Sequence, residues 1–241
     1  MRILRLMAFA LVLSSAAAFA EQSVHYSLLQ DPPRALPRKV VILPVDITVK
    51  ELSAGGVVEK VPGWSAEATK VVTDALALST RERQDIEIVP MPALNDEERQ
   101  MLDEYLAGYE AIGANALVLT RFGGDAWKHK REQFDYTLGE GLRFLKDKTG
   151  ADAALITFGE DVVSSGGRKA AFVLAAALLG AAIPMGYSVI SLGVLDLNNG
   201  DILWMHYDVS GVVEFRDPTG ANEMVAGILK AYPGLDAKRA K

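Results

Sequence analysis

The chain contains no cysteine and only three histidines, His25, His129 and His206. The absence of cysteine excludes disulfides, thiol catalysis, thiolate-held zinc and iron–sulfur clusters. The histidines lie too far apart in sequence to make a metal motif. His129 and Glu132 stand one helical turn apart, but Lys128, Lys130 and Arg131 surround them with positive charge, which opposes a cation site. No metal and no cofactor is therefore expected. A G-x-S-x-G nucleophile elbow is missing too. The glycine-rich turn Ser164–Lys169, SSGGRK, sits between an expected strand and an expected helix, where backbone N–H groups can hold a phosphate. It departs from the P-loop pattern, because Ala170 follows Lys169 where that pattern needs Ser or Thr. Glu160 and Asp161 are neighbours on a strand, so they point to opposite faces and do not pair as acid and base. Their expected role is to end the strand in water. With no catalytic constellation, the chain is read as not an enzyme.

Positive charge is also scarce. The chain has 25 Lys and Arg against 31 Asp and Glu, a formal charge of −6. Nucleic-acid binding needs basic residues gathered along one face. The densest basic run, Lys128-His129-Lys130-Arg131, has acids on both sides and reads as a solvated loop, so no nucleic-acid partner is expected.

The N-terminus points to export. Residues 1–20, MRILRLMAFALVLSSAAAFA, place Arg2 and Arg5 before an apolar run that closes on Ala18-Phe19-Ala20. That is the n-region, h-region and A-x-A site of a secretory signal peptide. Cleavage after Ala20 makes Glu21 the first mature residue. Losing Arg2 and Arg5 leaves 23 basic against 31 acidic groups, a charge of −8. No cysteine follows the cleavage site, so no lipid anchor is expected. An exported chain held together without disulfides fits the bacterial periplasm, or secretion, better than a eukaryotic secretory path.

Four segments follow: the signal peptide 1–20, an extended leader 21–38, an α/β domain 39–235 and a polar tail 236–241. The leader carries Pro32, Pro33 and Pro37 and little periodicity. Lys39–Lys50, KVVILPVDITVK, reads as one strand, and Val57–Val61 as its return across Ala54-Gly55-Gly56. Ser65 is the expected N-cap of the first helix. Residues 86–89 form a short strand. Asn95 and Glu98 form a capping box ahead of a helix whose stripe is Met101, Leu102, Tyr105, Leu106, Tyr109 and Ile112. A helix is expected over 134–148, stopped by Gly150, and a strand over 151–158. Two strands, 187–197 and 202–207, flank Asn199-Gly200, the strongest hairpin signal in the chain. Trp204 and His206 share one face of the second strand. A helix over 221–232 ends at Pro233-Gly234. Alternating early strands and helices with a late antiparallel hairpin predict a mixed sheet packed with helices in one domain.

Between Lys169 and Asp196 no side chain is charged. Residues 170–182 are rich in Ala and Leu and predict a helix that Gly180, Pro184 and Gly186 end. Thirteen to fifteen helical residues reach about 20–22 Å, short of a hydrocarbon core of about 30 Å. This helix does not span a membrane. Being apolar all round, it must be covered. The candidate covers, in order, are the domain itself, a partner protein or second copy of the chain, and a membrane surface. Phe172, Leu174, Leu178 and Leu179 are the candidate partner-docking residues.

The run TGADAALITFGEDV and, after a gap, SLGVLDLNNGDILW resemble exported bacterial envelope proteins of the CsgG-like and TolB-N-terminal-like group. The matching positions are Gly150, Ala151 and Asp152, then Leu195, Asp196, Gly200, Leu203 and Trp204; VVILPVD resembles the first strand of that group. Trp127–Leu142 is similar to a stretch of uncharacterised periplasmic relatives. The resemblance implies an α/β sandwich serving envelope assembly, transport or regulation through contacts with an envelope protein or a second copy, without catalysis. The chain departs from the group in lacking a lipobox cysteine and in carrying the apolar stretch 170–186. The alternative function is a small-ligand binder or hydrolase with a pocket near Phe134-Asp135-Tyr136 and residues 164–169.

Overall fold

Residues 19–122, 128–179, 185–211 and 213–232 are described by the computed structural model, and all statements of structure refer to them. The chain opens with β1 (Phe19–Val24), β2 (Lys39–Ile42), β3 (Asp46–Leu52) and β4 (Val58–Lys60). Helix α1 (Pro62–Arg81), β5 (Glu87–Val89), α2 (Asp96–Phe122), α3 (Lys128–Glu132) and α4 (Arg143–Thr149) follow. The second half contains β6 (Ala153–Ser164), α5 (Gly166–Leu179), β7 (Tyr187–Asp196), β8 (Ile202–Ser210) and α6 (Pro218–Lys230).

Strand β6 is the spine. Along its whole length it pairs antiparallel with β7, from Ala153↔Asp196 to Val162↔Tyr187. Its other edge pairs in parallel with β2 first and then with β3, from Phe158 to Ser164. The single strand expected over 39–50 is thus two strands in line, interrupted at Leu43-Pro44-Val45, where proline has no N–H to give the ladder. The sheet order is β1-β8-β7-β6-β2-β5, with β3 and β4 continuing on the far side of the interruption. This mixed sheet bears out the expected α/β class and its late hairpin.

Helices cover both faces. On one face, Ala68, Val72 and Leu76 of α1 and Val225 and Ile228 of α6 pack on Ile47, Leu155, Leu192 and Trp204. On the other face, Leu102 and Tyr109 of α2 and Leu145 of α4 pack on Val41, Ile156, Leu195 and Met205. The alternation along β6, Leu155 to one core and Ile156 to the other, is the period-two geometry of a strand buried on both sides.

Several local expectations hold. The Asn95 N–H donates to Glu98 at 3.0 Å, and the Glu98 N–H donates back to the Asn95 side chain at 2.8 Å. Gly150 ends α4 with φ of 69°, in the left-handed region. The β7–β8 hairpin forms, with Ser188↔Ser210 and Val194↔Trp204 in register. Its turn differs from the tight one expected. Only Gly200 takes positive φ, 75°, and the register shifts between Val194 and Leu195. Asp196 makes the difference: its carboxylate accepts from the Asn198 backbone at 2.6 Å and side chain at 2.8 Å, which lengthens the loop.

Other expectations are corrected. The helix over 134–148 is only α4 preceded by a 3-10 turn at Glu140–Leu142. Residues 134–139 are extended because neighbours use their carbonyls: Tyr26 N–H donates to Phe134 O and Ile202 N–H to Tyr136 O, both at 2.9 Å. Ser65 is not an N-cap; α1 starts at Pro62, and the Ser65 hydroxyl accepts from Val49 N–H at 2.9 Å. The leader does more than lie on the surface: β1 pairs antiparallel with β8, Gln22 opposite His206 and Val24 opposite Trp204. The tail 236–241 and the signal residues 1–18 lie outside the described residues.

Candidate functional site

Strands β6 and β7 run together to one end of the sheet, and α5 is the connection between them. Its start is built into the sheet. Ser165 N–H donates to Leu52 O at 2.9 Å, and the Ser165 hydroxyl accepts from Arg168 N–H at 3.2 Å as the helix N-cap. Arg168 reaches Ser53 O at 3.3 Å, and Lys169 lies 3.8 Å from Glu214. SSGGRK is therefore a capped helix start tied to the β3–β4 turn.

Beyond this base, the described residues leave one broad side of the helix uncovered. No described strand or helix packs along its length. Val173 is 63% exposed, Leu174 59% and Leu178 77%. Phe172 is half-buried, with Ala171 and Ala175, on the side nearer the domain. The side chain of Leu179 lies outside the described residues. The described part of the domain, first among the candidate covers, therefore does not cover Leu174 and Leu178. The structure brings Leu174 and Leu178 together on one face, as their spacing requires. Exposed Val57 and Val58 of the β3–β4 hairpin and exposed Tyr187 at the start of β7 stand at the same end of the sheet. Sequence reading picked out the helix but missed these three, whose place depends on strand pairing. No described helix is long and apolar enough to cross a membrane.

Asp161 and Glu160 are not a solvated strand end. β6 continues past both to Ser164, and Asp161 is 1% exposed. Its carboxylate accepts from Phe215 N–H at 3.0 Å and from the Ser188 hydroxyl at 2.9 Å, while burial pushes its pKa up. A cavity of about 110 Å³ beside it is lined by Ser164, Lys169, Tyr187 and Glu214. A larger cavity, about 250 Å³, lies between α2 and the interruption of β2 and β3, with Asp46, Asp103 and Glu110 on its walls. Among the described residues no three His, Asp or Glu side chains are placed to hold a metal ion.

Phe134, Asp135 and Tyr136 lie beside the β7–β8 turn, where Thr137 bridges Asp201. Residues 164–169 lie at the other end of β6, eleven residues along the strand, or about 36 Å. The two segments do not line one pocket. The β7–β8 turn instead holds a polar clamp. Arg34 bonds Asp201 at 2.7 Å and Asp196 through its other nitrogen. His25 Nδ1 accepts from Ser27 N–H at 3.3 Å, and Nε2 lies 3.9 Å from Asp201. Arg34, through Asp196 and Asp201, and the His25 backbone N–H, which donates to Leu203 O at 2.9 Å, fix the leader to the hairpin.

No family model matches the chain, and no curated protein matches it. Among solved structures the chain is similar to the PelC dodecamer from Paraburkholderia phytofirmans in space group P6 and to a point variant of it in space group C2. Identity is 10% in both. The likeness covers 88% of this chain and 94% or 95% of theirs, with TM-scores of 0.34 and 0.35. At those scores it says nothing of this chain's function or assembly.

Proposed function

We propose that the chain is a non-catalytic interaction module of the bacterial cell envelope, exported to the periplasm, with the α5 end of the sheet as its contact element. The observation that carries the reading is the exposure of Val173, Leu174 and Leu178 on the helix that follows β6. Burying one such side chain is worth about 1.5–3 kcal/mol, so a chain that leaves three in water gains by covering them. An apolar group rimmed by polar residues is the usual mark of a contact surface. The signal-peptide pattern of residues 1–20 supports the compartment, and the resemblance to CsgG-like and TolB-like envelope proteins supports the kind of process: assembly, transport or regulation.

The test is a photo-crosslinking residue in place of Leu178 in cells expressing the protein, with Lys230 on the exposed end of α6 as control. An adduct from position 178 and none from 230 is the expected result. Absence of any adduct from position 178, repeated at position 174, overturns the reading.

A further inference from the structure

We propose that the α5 end docks into the surface of a lipid bilayer without crossing it; this rests on the reading of α5 as the contact element. The first argument is angular. At about 100° per residue, Ala176, Val173, Ala177, Leu174 and Leu178 fan over roughly 200° of the helix circumference. All five are exposed and none is polar. One facing helix covers a stripe of about 100°. An arc twice as wide requires a groove or an enclosing apolar medium.

The second argument concerns the groove. A second copy would have to supply one, and neither cavity described above fits. The larger carries Asp46, Asp103 and Glu110, and the smaller lies at the base of α5 itself, lined by Lys169 and Glu214. Exposed large apolar residues away from the α5 end, such as Leu29, Leu78 and Met101, sit on separate elements.

The chemistry along the helix is ordered from base to tip. Arg168 and Lys169 stand at its base, and no charge follows through Leu179. Tyr187, 45% exposed, and the Val57–Val58 turn stand at the same level. A collar of charged and aromatic groups, here with Lys169 facing Glu214 and Tyr187 bonded to Glu160, followed by an apolar tip is the order of residues across a membrane interface. Fourteen residues span about 21 Å, short of the hydrocarbon core, so the tip enters one leaflet.

The experiment is flotation of the purified protein with vesicles of phosphatidylethanolamine and phosphatidylglycerol, beside size-exclusion chromatography over a concentration series. The wild type floats with the vesicles. The double variant Leu174→Asp/Leu178→Asp keeps the wild-type melting temperature and loses at least about tenfold in vesicle affinity, the factor one leucine's transfer provides. Should that variant unfold, Leu178→Trp takes its place, and its emission shifts to the blue on vesicle addition. A variant that floats like the wild type, or a tryptophan that does not shift, overturns the proposal. A wild type that ignores vesicles but forms an oligomer broken by the same substitutions overturns lipid docking and leaves the contact element standing, with a second copy as partner. A wild type that does neither overturns the docking proposal, and crosslinking at position 178 then decides the contact element separately.

Discussion

Asp161 accepts a hydrogen bond at 3.0 Å from the backbone N–H of Phe215, which ties the loop before α6 to the buried centre of the sheet. The Ser188 hydroxyl lies within hydrogen-bond distance of both the same carboxylate and Val213 O, and its single proton is shared between these two acceptors. Phe215 is fully buried, so the loop cannot leave without exposing it. Asp161→Ala orphans a buried N–H and is expected to lose about 1–3 kcal/mol in denaturant unfolding. The pH dependence has a definite sign. Burial raises the Asp161 pKa above its unfolded value of 3.8. Its contribution is therefore full below pH 3.8 and is lost as pH rises through the raised value. Relative to Asp161→Asn, the wild type should gain stability as pH falls from 7 towards 4.

His206 lies beside Trp204, ring centroids 5.8 Å apart, as their shared strand face requires. Both its ring nitrogens are buried without a hydrogen-bond partner. Burial lowers its pKa, and also that of His25. Below the unfolded value of 6.5 the unfolded chain takes up protons that the folded chain refuses, so stability falls as pH drops from 7 to 5. His206→Phe removes two unsatisfied nitrogens at similar shape. It should melt higher than the wild type, with the larger gain at pH 5. Equal gains at pH 5 and pH 8 would assign the effect to packing alone.

The sequence made these two sites unequally legible. Trp204 and His206 share a face by strand geometry alone, just as Asn95 and Glu98 cap a helix by spacing alone. An Asp after an apolar run, as at Asp161, ordinarily marks a strand's end in water. What keeps it inside is the Phe215 N–H, fifty-four positions away. Residues 134–139 are likewise set by distant partners: the Phe134 and Tyr136 carbonyls accept from Tyr26 and Ile202, which no local pattern reveals. The apolar run after Lys169 was legible as a helix and as too short to span. Its standing clear of the domain was not, because that depends on where β6 and β7 deliver it.

Gly193 marks a close approach of helix to sheet. A Cβ there would lie 2.1 Å from the Tyr109 hydroxyl and 2.6 Å from its ring carbon. Tyr109 is fully buried, edge-on to Phe158 at 5.8 Å, and so has little room to move. Gly193→Ala should cost about 1–3 kcal/mol through overpacking. In a double-mutant cycle with Tyr109→Ala the two losses should fall short of adding, because the smaller side chain vacates the space.

Arg34 holds the leader on the hairpin through Asp196 and Asp201. Those carboxylates are mostly buried, 10% and 18% exposed, so the bonds are shielded from water. Arg34→Ala should cost about 1.5–3 kcal/mol, the range for charge-assisted hydrogen bonds. Limited proteolysis should then cut between residues 29 and 38 faster than in the wild type, with the rest of the domain resisting as before.

The last prediction concerns the independence of α5 from the fold that carries it. Val162 pairs with Tyr187, so β6 and β7 reach the end of the sheet side by side and a short connection can join them. Ser165 must stay, since its N–H bonds Leu52 O and closes the β3 pairing. Replacing residues 166–186 by a short Gly/Ser linker removes a helix along which no described element packs. The lost interactions among the described residues include Arg168 to Ser53 O, the Ser164 hydroxyl to Met185 Sδ at 3.9 Å, and Lys169 to Glu214, the last an exposed ion pair worth about 0–1 kcal/mol. Thermal melting should therefore shift by only a few degrees, since about 1 kcal/mol moves the midpoint of a domain this size by roughly 2–4 °C. Crosslinking from this end of the sheet should vanish. A collapse of the melting transition would instead make α5 part of the folding core, and the exposure of Leu174 and Leu178 would then need another cause.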